Sequence, residues 1–287
     1  MGEKLKIIVW DVQHGNAIYI NTPGNKDFAI DIGTGSCDDN DWEFSPLLHL
    51  KKKWNVPYLD GVVITHPHSD HIDDIFNFDN LDPRVIRRPK HLTEKDIKAG
   101  NPSDGKKIIE KYLEINKRFS STVGSGENPF SPANNGGVSF KSFWPKSCAT
   151  SNLNNHSVVS VISYANSKIL IPGDNEPPSW NELLENSSFV SAIKGIDILV
   201  APHHGRQSGF SSELFEHISP RLTIISDGSS DTTASDKYST KSTGWTVHKR
   251  AGGKEKRNCV TTRKDGVIEV DFGENSDGKP YIQVTIN

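Results

Sequence analysis

Residues 61–71 read Gly-Val-Val-Ile-Thr-His-Pro-His-Ser-Asp-His, so an apolar run passes directly into four side chains of the metal-ligand type. The apolar part predicts a strand that is buried on both faces. His66 and His68 fall on one side of an extended segment, which lets both imidazoles reach the same cation. Asp70 and His71 follow at the start of a predicted helix and are directed back towards the strand end. The spacing therefore predicts two adjacent divalent metals, one on each pair. A polar loop that is merely rich in histidine is the alternative.

Two later apolar runs also end in ligand-type side chains. Residues 168–174 read Lys-Ile-Leu-Ile-Pro-Gly-Asp, and residues 197–205 read Asp-Ile-Leu-Val-Ala-Pro-His-His-Gly. A Gly-Asp turn is common when it is taken alone. Because three strands of this chain end in such residues, a chance arrangement is hard to sustain, and we expect all three strand ends to contribute to one site.

The pattern His-x-His-x-Asp-His at 66–71 resembles the motif of metallo-β-lactamase-fold hydrolases, a family that includes β-lactamases, glyoxalase II thioesterases, lactonases and nucleases. This resemblance implies an α/β fold, an αββα sandwich of two mixed β-sheets flanked by helices, with the metal site at the sandwich edge. It also implies that Asp174 is the metal-bridging carboxylate. His203 matches the later histidine ligand best, and His204 is a second candidate or an outer group.

Four short segments resemble, in their order along the chain, the nuclease-like domain of the ComEC family of competence DNA-uptake proteins. They are Asp-Val-Gln-His-Gly-Asn-Ala at 11–17, Asn-Asn-His-Ser-Val-Val at 154–159, Pro-His-His-Gly at 202–205 and Thr-Thr-Arg-Lys-Asp-Gly at 261–266. Because no channel domain accompanies them in this sequence, the resemblance leads us to expect a free-standing relative.

Three positions bear on how closely that resemblance holds. Asp73 and Asp74 stand where many relatives have two glycines, and they either crowd the site or hold the helix start. Asn16 replaces the usual acidic residue of the first turn. His156 lies at a variable position of its motif, so it is either a third ligand of the first metal or a bystander.

Composition is typical of a soluble globular protein, with 287 residues, 34% hydrophobic and 24% charged. We interpret residues 1–287 as a single domain with a Gly/Ser/Asn-rich loop insertion at about 120–137, either a lid or a plain exposed loop. No apolar run is long enough for a membrane span, and the first residues lack a secretory pattern. Cys37, Cys148 and Cys259 are widely spaced and predict neither a disulfide framework nor a thiolate zinc site. We therefore expect a cytoplasmic protein with no membrane partner.

These residues predict a metal-dependent hydrolase. Two cations that share a water lower its pKa, so that a metal-activated hydroxide can attack an electrophilic centre. Mixed histidine and carboxylate ligands suit two Zn²⁺ or Mn²⁺ ions and do not select between them. The predicted metal ligands are His66, His68, Asp70, His71, His156, Asp174 and His203. The predicted catalytic residues are Asp70, Asp174 and His248, the last as a proton donor to the leaving group or else an ordinary surface histidine.

The leading substrate is a phosphodiester in DNA or RNA, which makes nucleic acid the expected partner. Segment 237–264 is rich in lysine and arginine, and such a cluster either attracts a polyanion or forms a solvated face. The predicted substrate contacts are His204, Lys249, Arg250, Arg257, Thr261, Thr262, Arg263 and Lys264. Hydrolysis of a small ester, lactone or thioester on the same site is the alternative, and a non-catalytic binding protein is less favoured. The sequence leaves protein partners and homo-oligomerisation open.

Overall fold

The computed structural model describes residues 3–35, 44–101, 105–228 and 233–287. Cys37, one of the three cysteines considered above, lies outside these ranges. The strands are β1 (Lys4–Val9), β2 (Ala17–Asn21), β3 (Asp27–Ile32), β4 (Gly61–Val63), β5 (Ile86–Arg87), β6 (Ser139–Phe143), β7 (Val159–Tyr164), β8 (Ser167–Ile171), β9 (Ile198–Val200), β10 (Leu222–Ile225), β11 (Trp245–Lys249), β12 (Lys254–Arg257), β13 (Cys259–Thr261), β14 (Ile268–Glu274) and β15 (Pro280–Ile286).

The helices of the described ranges are α1 (Pro46–Lys52), α2 (Ser69–Ile72), α3 (Glu94–Ala99), α4 (Lys106–Arg118), α5 (Pro177–Leu184), α6 (Ser187–Ile193), α7 (Leu214–His217), α8 (Ser235–Lys241) and α9 (Thr262–Asp265). The start of α1 follows local capping rules. The side chain of Ser45 accepts a hydrogen bond from the backbone of Leu48, and Pro46 occupies the first turn of α1. None of these helices is long and apolar enough to cross a membrane.

The strands form two mixed sheets. The nine-stranded sheet has the order β12-β11-β15-β14-β1-β2-β3-β4-β5, and the six-stranded sheet has the order β13-β10-β9-β8-β7-β6. In the first sheet β3, β4 and β5 run parallel to one another. In the second sheet β8, β9, β10 and β13 run parallel. Parallel strands bring their carboxyl ends to one edge, and the segments that carry the predicted ligands all follow strands from these two groups.

Three apolar layers hold the sandwich together. Side chains such as Ile30 from the first sheet and Ile171 from the second meet in the central layer. A second layer packs α1 and α4 on the outer face of the nine-stranded sheet, and a third packs α5 and α6 on the outer face of the six-stranded sheet. Full burial of one large apolar side chain, such as Trp180, stabilises the fold by roughly 1.5–3 kcal/mol. The predicted αββα sandwich is therefore confirmed.

The loop insertion at 120–137 is anchored in its second half. Phe130 is buried in the central layer, and the buried amide of Asn135 donates to the carbonyl oxygens of Pro129 and Val138. The backbone of Gly24 donates to the carbonyl of Asn135, which ties the loop to the turn after β2. These contacts fix the second half of the segment to the core, whereas residues 120–127 are exposed.

Candidate metal centre

Three strand ends deliver the predicted ligands to one edge of the sandwich. His66 follows β4, and α2 then carries Asp70 and His71. Asp174 follows β8 through Pro172 and Gly173, and the turn Pro202–Gly205 follows β9. Gly173 has φ +62°, and a Cβ there would lie 2.7 Å from the Cβ of Thr65. Glycine at this position therefore lets the strand ends of the two sheets approach each other.

Four side chains form a group whose ligand atoms all lie within 4.8 Å of one another: Asp70, His71, Asp174 and His204. Nε2 of His71 lies 3.2 Å from Oδ1 of Asp174. Nε2 of His204 lies 3.3 Å from Oδ2 of Asp70 and 3.4 Å from Oδ2 of Asp174. His204 thus occupies the inner position, although the sequence favoured His203 for it.

The orientation of the two histidine rings fits a cation. Nδ1 of His71 lies 2.7 Å from Oδ2 of Asp31, and Nδ1 of His204 lies 3.0 Å from the carbonyl oxygen of Ser226. Each ring can donate its Nδ1 proton outwards, which leaves the Nε2 lone pair facing inwards. The two Nε2 atoms are 3.2 Å apart, beside two carboxylates. Two nitrogen and two carboxylate donors in this arrangement suit a divalent cation of the Zn²⁺ or Mn²⁺ type.

A second group of histidines lies next to the first. Oδ2 of this carboxylate is 4.0 Å from Nε2 of His66 and 3.9 Å from Nε2 of His203. Nε2 of His66 is also 3.0 Å from Nδ1 of His68. The other ring nitrogen of His203 has partners of its own, because Nδ1 lies 3.1 Å from Oε1 of Glu176 and 2.9 Å from Oγ of Ser208. The carboxylate of Asp174 therefore faces both groups.

The electrostatics of the buried site favour a cation. Burial by itself raises the pKa of Asp174, but the neighbouring histidines His71 and His204 hold the pKa of this carboxyl well below its usual range. Burial opposes protonation of His204, yet the carboxylates of Asp174 and Asp70 raise its pKa to about 9. Burial lowers the pKa of His66, so its imidazole is neutral. The carboxylates and His66 are thus in the protonation states that metal ligation requires, whereas His204 must release a proton when a cation binds.

The first turn of the chain packs against the loop that carries Asp70. The backbone of Asn16 donates to the carbonyl oxygen of Asp70, and the Asn16 amide donates to Oδ2 of Asp31. Nε2 of His14 lies 3.3 Å from Oδ2 of Asp70, and a guanidinium nitrogen of Arg206 lies 3.1 Å from Nδ1 of His14. Asn16, which departs from the expected acidic residue, thus positions Asp31 and the ligand loop.

Asp73 and Asp74 hold neighbouring segments in place and do not crowd the ligands. Asp73 accepts hydrogen bonds from the backbone and the hydroxyl of Thr34. Asp74 accepts from the hydroxyl of Ser45 and the backbone of Leu47, at the start of α1. Asp74 thus fixes the start of α1, not that of the helix that carries Asp70 and His71.

The structure does not bring His248 to the other predicted site residues. This histidine lies exposed on β11, where its ladder partners are Lys254 and Thr285. Four strands (β15, β14, β1 and β2) separate β11 from β3, which in turn pairs with β4, the strand that leads to the ligands. A single histidine in a strand carries no information about which edge of the sheet it will occupy, so the pattern alone could not reveal this.

His156 lies outside the four-residue group. The ring is fully buried, and its Nδ1 lies 2.9 Å from Nε2 of His91, which the sequence did not connect to any motif. Its Nε2 is buried and has no hydrogen-bond partner in the described part of the chain. The hydroxyl of the neighbouring Ser157 accepts a hydrogen bond from the backbone of Asp174.

The predicted substrate contacts divide into two sets. Lys249, Arg250 and Arg257 belong to the β11–β12 edge, where Lys249 and Arg257 pair with Glu255. Arg250 instead donates to the carbonyl of Val267. Arg257 also pairs with Asp265 in α9.

The second set lies at the carboxyl end of β13, beside the strand end that leads to Ser226. The hydroxyl of Thr262 donates to the carbonyl oxygen of Asp227, and Arg263 donates to that of Gly228. Thr261 caps α9 by accepting from the backbone of Lys264. Because β13 runs parallel to β10 and β9, this set lies at the same edge of the sheet as the ligands.

Three residues of the site were missed from the sequence: Asp31, Glu176 and Arg206. Asp31 gave a signal, because a carboxylate inside the apolar stretch Phe-Ala-Ile-Asp-Ile of β3 must find partners when it is buried. Glu176 and Arg206 gave no signal beyond their positions, two residues after Asp174 and three residues after His203.

No protein-family model matches this chain, and no curated protein matches it. Among solved structures, a diphosphatase of the PhnP family shows 11% identity and a TM-score of 0.47, over 93% of this chain and 98% of that one. Human tRNase Z, short form, shows 11% identity and a TM-score of 0.39, over 78% of this chain and 93% of that one. The hydrolase AbOPH in the β-lactamase superfamily shows 19% identity and a TM-score of 0.34, over 55% of each chain. We draw no conclusion about substrate from likenesses at this level.

Proposed function

We propose that this chain is a metal-dependent phosphodiesterase that acts on nucleic acid, with two divalent cations, Zn²⁺ or Mn²⁺, at the edge of the sandwich. The observation that carries the proposal is the position of the Asp174 carboxylate. One of its oxygens faces His71, and the other faces His66, His203 and His204 at 3.4–4.0 Å. Asp174 thus lies next to nitrogen donors from both neighbouring strand ends, and a carboxylate in this position could serve two cations.

The ligand assignment follows the group of four side chains whose ligand atoms lie within 4.8 Å of one another. Asp70, His71 and His204 would hold one cation, and His66, His68 and His203 the other, with Asp174 shared between them. A cation pair supplies Lewis-acid activation of water and neutralisation of charge on the phosphate when it is bound. Asp31, Ser226 and Glu176 orient the rings of three of these histidines, so the donors are fixed before substrate arrives.

The residues next to the ligands suit an anionic substrate. Arg206 lies beside His14 and is partly exposed, and its Nε is buried and without a hydrogen-bond partner in the described part of the chain. The positive charge of the guanidinium is therefore only partly compensated. Arg206 contacts His14, which in turn contacts Asp70, so this charge lies close to a proposed ligand. A phosphate at the cations would meet this guanidinium, which can donate to two of its oxygens. The motif resemblance to the nuclease-like domain of the ComEC family supports the same substrate class.

The test is cleavage of labelled single- and double-stranded DNA and RNA by metal-depleted protein resupplied with Mn²⁺ or Zn²⁺. Bis-p-nitrophenyl phosphate is measured in parallel as a small phosphodiester. The matched variants are Asp174→Ala and Asp277→Ala, the second of which removes an exposed carboxylate from the turn between β14 and β15. Metal-dependent cleavage that is lost in Asp174→Ala and kept in Asp277→Ala supports the proposal. Hydrolysis of a chromogenic ester or lactone, with no phosphodiester cleaved, contradicts it.

A further inference from the structure

A cavity of about 590 Å³ opens on the side of the sandwich where β5 and β6 form the edges of their sheets. The described residues that line it include five cations and no carboxylate. The cations are Arg84, Arg87, Arg88, Lys90 and Arg118. We call this cavity the cationic cleft. The metal ligands do not line it.

Two of the five cations are already compensated. Arg118 forms an ion pair with Asp79, and Arg84 lies over the ring of Tyr58 with Asp60 at 3.9 Å. Their charges therefore contribute little to the attraction of an anion.

The other three cations have no carboxylate partner among the described residues. Arg87 donates to the hydroxyl of Ser142 and lies over the Phe130 ring, 3.8 Å from its centroid. Arg88 is only 9% exposed, and its Nη1 is buried without a hydrogen-bond partner, although Nη2 donates to two carbonyl oxygens. Lys90 is exposed. Burial of an arginine that lacks a counter-ion is costly, so a site with two of them is suited to an anion supplied from outside.

The cleft leads towards the metal centre. Strands β4 and β5 are parallel, and the backbone of Ile64 donates to the carbonyl of Arg87. His66 therefore follows β4 at the same edge where Arg88 and Lys90 follow β5. Val158, which lines the cleft, donates its backbone N–H to the carbonyl oxygen of Thr65, next to His66. The backbone of one nucleic-acid strand can thus extend from the metal centre into the cleft.

Aromatic side chains accompany the cations. Trp144, immediately after β6, is 41% exposed at the wall of the cleft, and Phe119 and Phe140 also line it. A groove that combines uncompensated cations with an exposed aromatic ring is the combination that tracks a nucleic-acid backbone and stacks unpaired bases. The volume of the cleft lies within the range of cavities that bind small organic ligands, so it fits a short stretch of unpaired nucleotides.

We propose that the cationic cleft binds single-stranded nucleic acid that extends from the metal centre, with Arg87, Arg88 and Lys90 on its phosphates and Trp144 on a base. This inference rests on the proposed function, because it names the strand that the metal centre would cut. It assigns substrate contacts to a different surface from the segment 237–264, which the sequence favoured.

The test measures binding of a short labelled phosphorothioate single strand, which resists cleavage, to the metal-loaded protein by fluorescence anisotropy over a range of salt concentrations. The cleft variant is Arg87→Gln with Lys90→Gln. The matched control, Lys254→Gln with Lys256→Gln, removes two exposed cations from β12. We expect the cleft variant to lower affinity about tenfold and to reduce the log–log salt slope by about 1.4, since each contact on a single strand contributes about 0.7. The control keeps both values.

A second variant guards against misfolding, because Arg87 is partly buried. Trp144→Ala alters an exposed side chain and removes one stacking surface, for which we expect a loss of affinity of about tenfold. Hydrolysis of bis-p-nitrophenyl phosphate stays at the wild-type rate in both cleft variants, because this small substrate needs only the cations and the residues next to them.

The outcomes separate the two proposals. Equal affinity of the cleft variants, the control and the wild type overturns the cleft proposal, and so does equally tight, equally cleft-dependent binding of a duplex. If the wild-type protein binds the strand through the cleft but cleaves no phosphodiester, the cleft proposal stands and the proposed function is refuted. If cleavage depends on Asp174 but the cleft variants have no effect on binding, the proposed function stands and the cleft proposal is refuted.

Discussion

The carboxylate of Asp31 lies 2.7 Å from Nδ1 of His71, with both side chains fully buried. Asp31 has φ +56° and also accepts hydrogen bonds from the backbone and hydroxyl of Thr65 and from the amide of Asn16. Asp31, at the end of β3, thus contacts both Thr65, which precedes the proposed ligands, and His71, which is one of them. The direction of the His71 ring is consequently set by a residue 40 positions away in the sequence.

Replacement of Asp31 by asparagine tests this orienting contact. The amide would keep the size of the side chain but lose the charge that fixes the His71 tautomer. We expect the Asp31→Asn protein to bind Zn²⁺ about 10- to 100-fold more weakly, as for other residues that orient a ligand. Competition with a chromogenic chelator measures the affinity. An unchanged affinity in a folded variant would show that Asp31 acts only on the strand end.

The two adjacent histidines after β9 are expected to differ. His204 lies within 3.4 Å of both Asp70 and Asp174, whereas His203 is 3.9 Å from Asp174 and is shared with Glu176. We expect His204→Ala to weaken metal binding by more than about 100-fold and His203→Ala to weaken it less. Titration of each variant with Zn²⁺ measures this, with His217→Ala as the exposed control. A larger effect from His203→Ala would reverse the assignment.

Removal of metal is expected to destabilise the fold. A ligand that binds only the folded state stabilises it by about 2.7 kcal/mol when its concentration is 100 times its dissociation constant. In a protein of this size each kcal/mol shifts Tm by about 2–4 °C. Thermal unfolding with and without a chelator measures the shift, and Asp174→Ala should show almost none. A wild-type Tm that is unchanged by the chelator would argue against a metal centre.

Gly33 is expected to tolerate no side chain. A Cβ at this position would overlap the carbonyl oxygen of Asp70 and lie 3.1 Å from the backbone nitrogen of Asn16. Because that backbone positions a metal ligand, Gly33→Ala should reduce metal affinity and also cost about 1–3 kcal/mol of unfolding free energy through overpacking.

Gly126→Ala is the matched control for Gly33→Ala, since nothing lies within 4 Å of a Cβ at Gly126. Denaturant unfolding and Zn²⁺ titration of the two variants measure the difference. Equal metal affinity and equal unfolding free energy in the two variants would mean that the Asp70 loop can move aside without weakening the metal site or the fold.

His248→Ala is expected to leave hydrolysis unchanged. Its side chain is exposed on β11, at the opposite side of the nine-stranded sheet from β4. A surface substitution of this kind changes unfolding free energy by no more than about 0.5 kcal/mol. Turnover of bis-p-nitrophenyl phosphate decides the matter, and a large loss of rate would restore the sequence-based assignment of His248.

The sequence by itself determined the elements that carry the ligands. Residues 61–71 predicted a buried strand that ends in histidines, and β4 with α2 is what forms there. Asp174 was likewise predicted from a strand that ends in Gly-Asp, and β8 ends just before it. Such features are readable because a strand's burial and the position of its end follow from local composition.

Tertiary structure alone decided which of the candidate side chains meet. The choice between His203 and His204 depends on two successive residues with positive φ, 50° and 53°, in a turn whose shape no spacing rule predicts. Asp31, the cleft between β5 and β6, and the remoteness of His248 depend on the order of strands in two sheets. Strand order is fixed by packing between residues far apart in sequence. Local sequence patterns therefore identify the candidate ligands but not the residues that orient them.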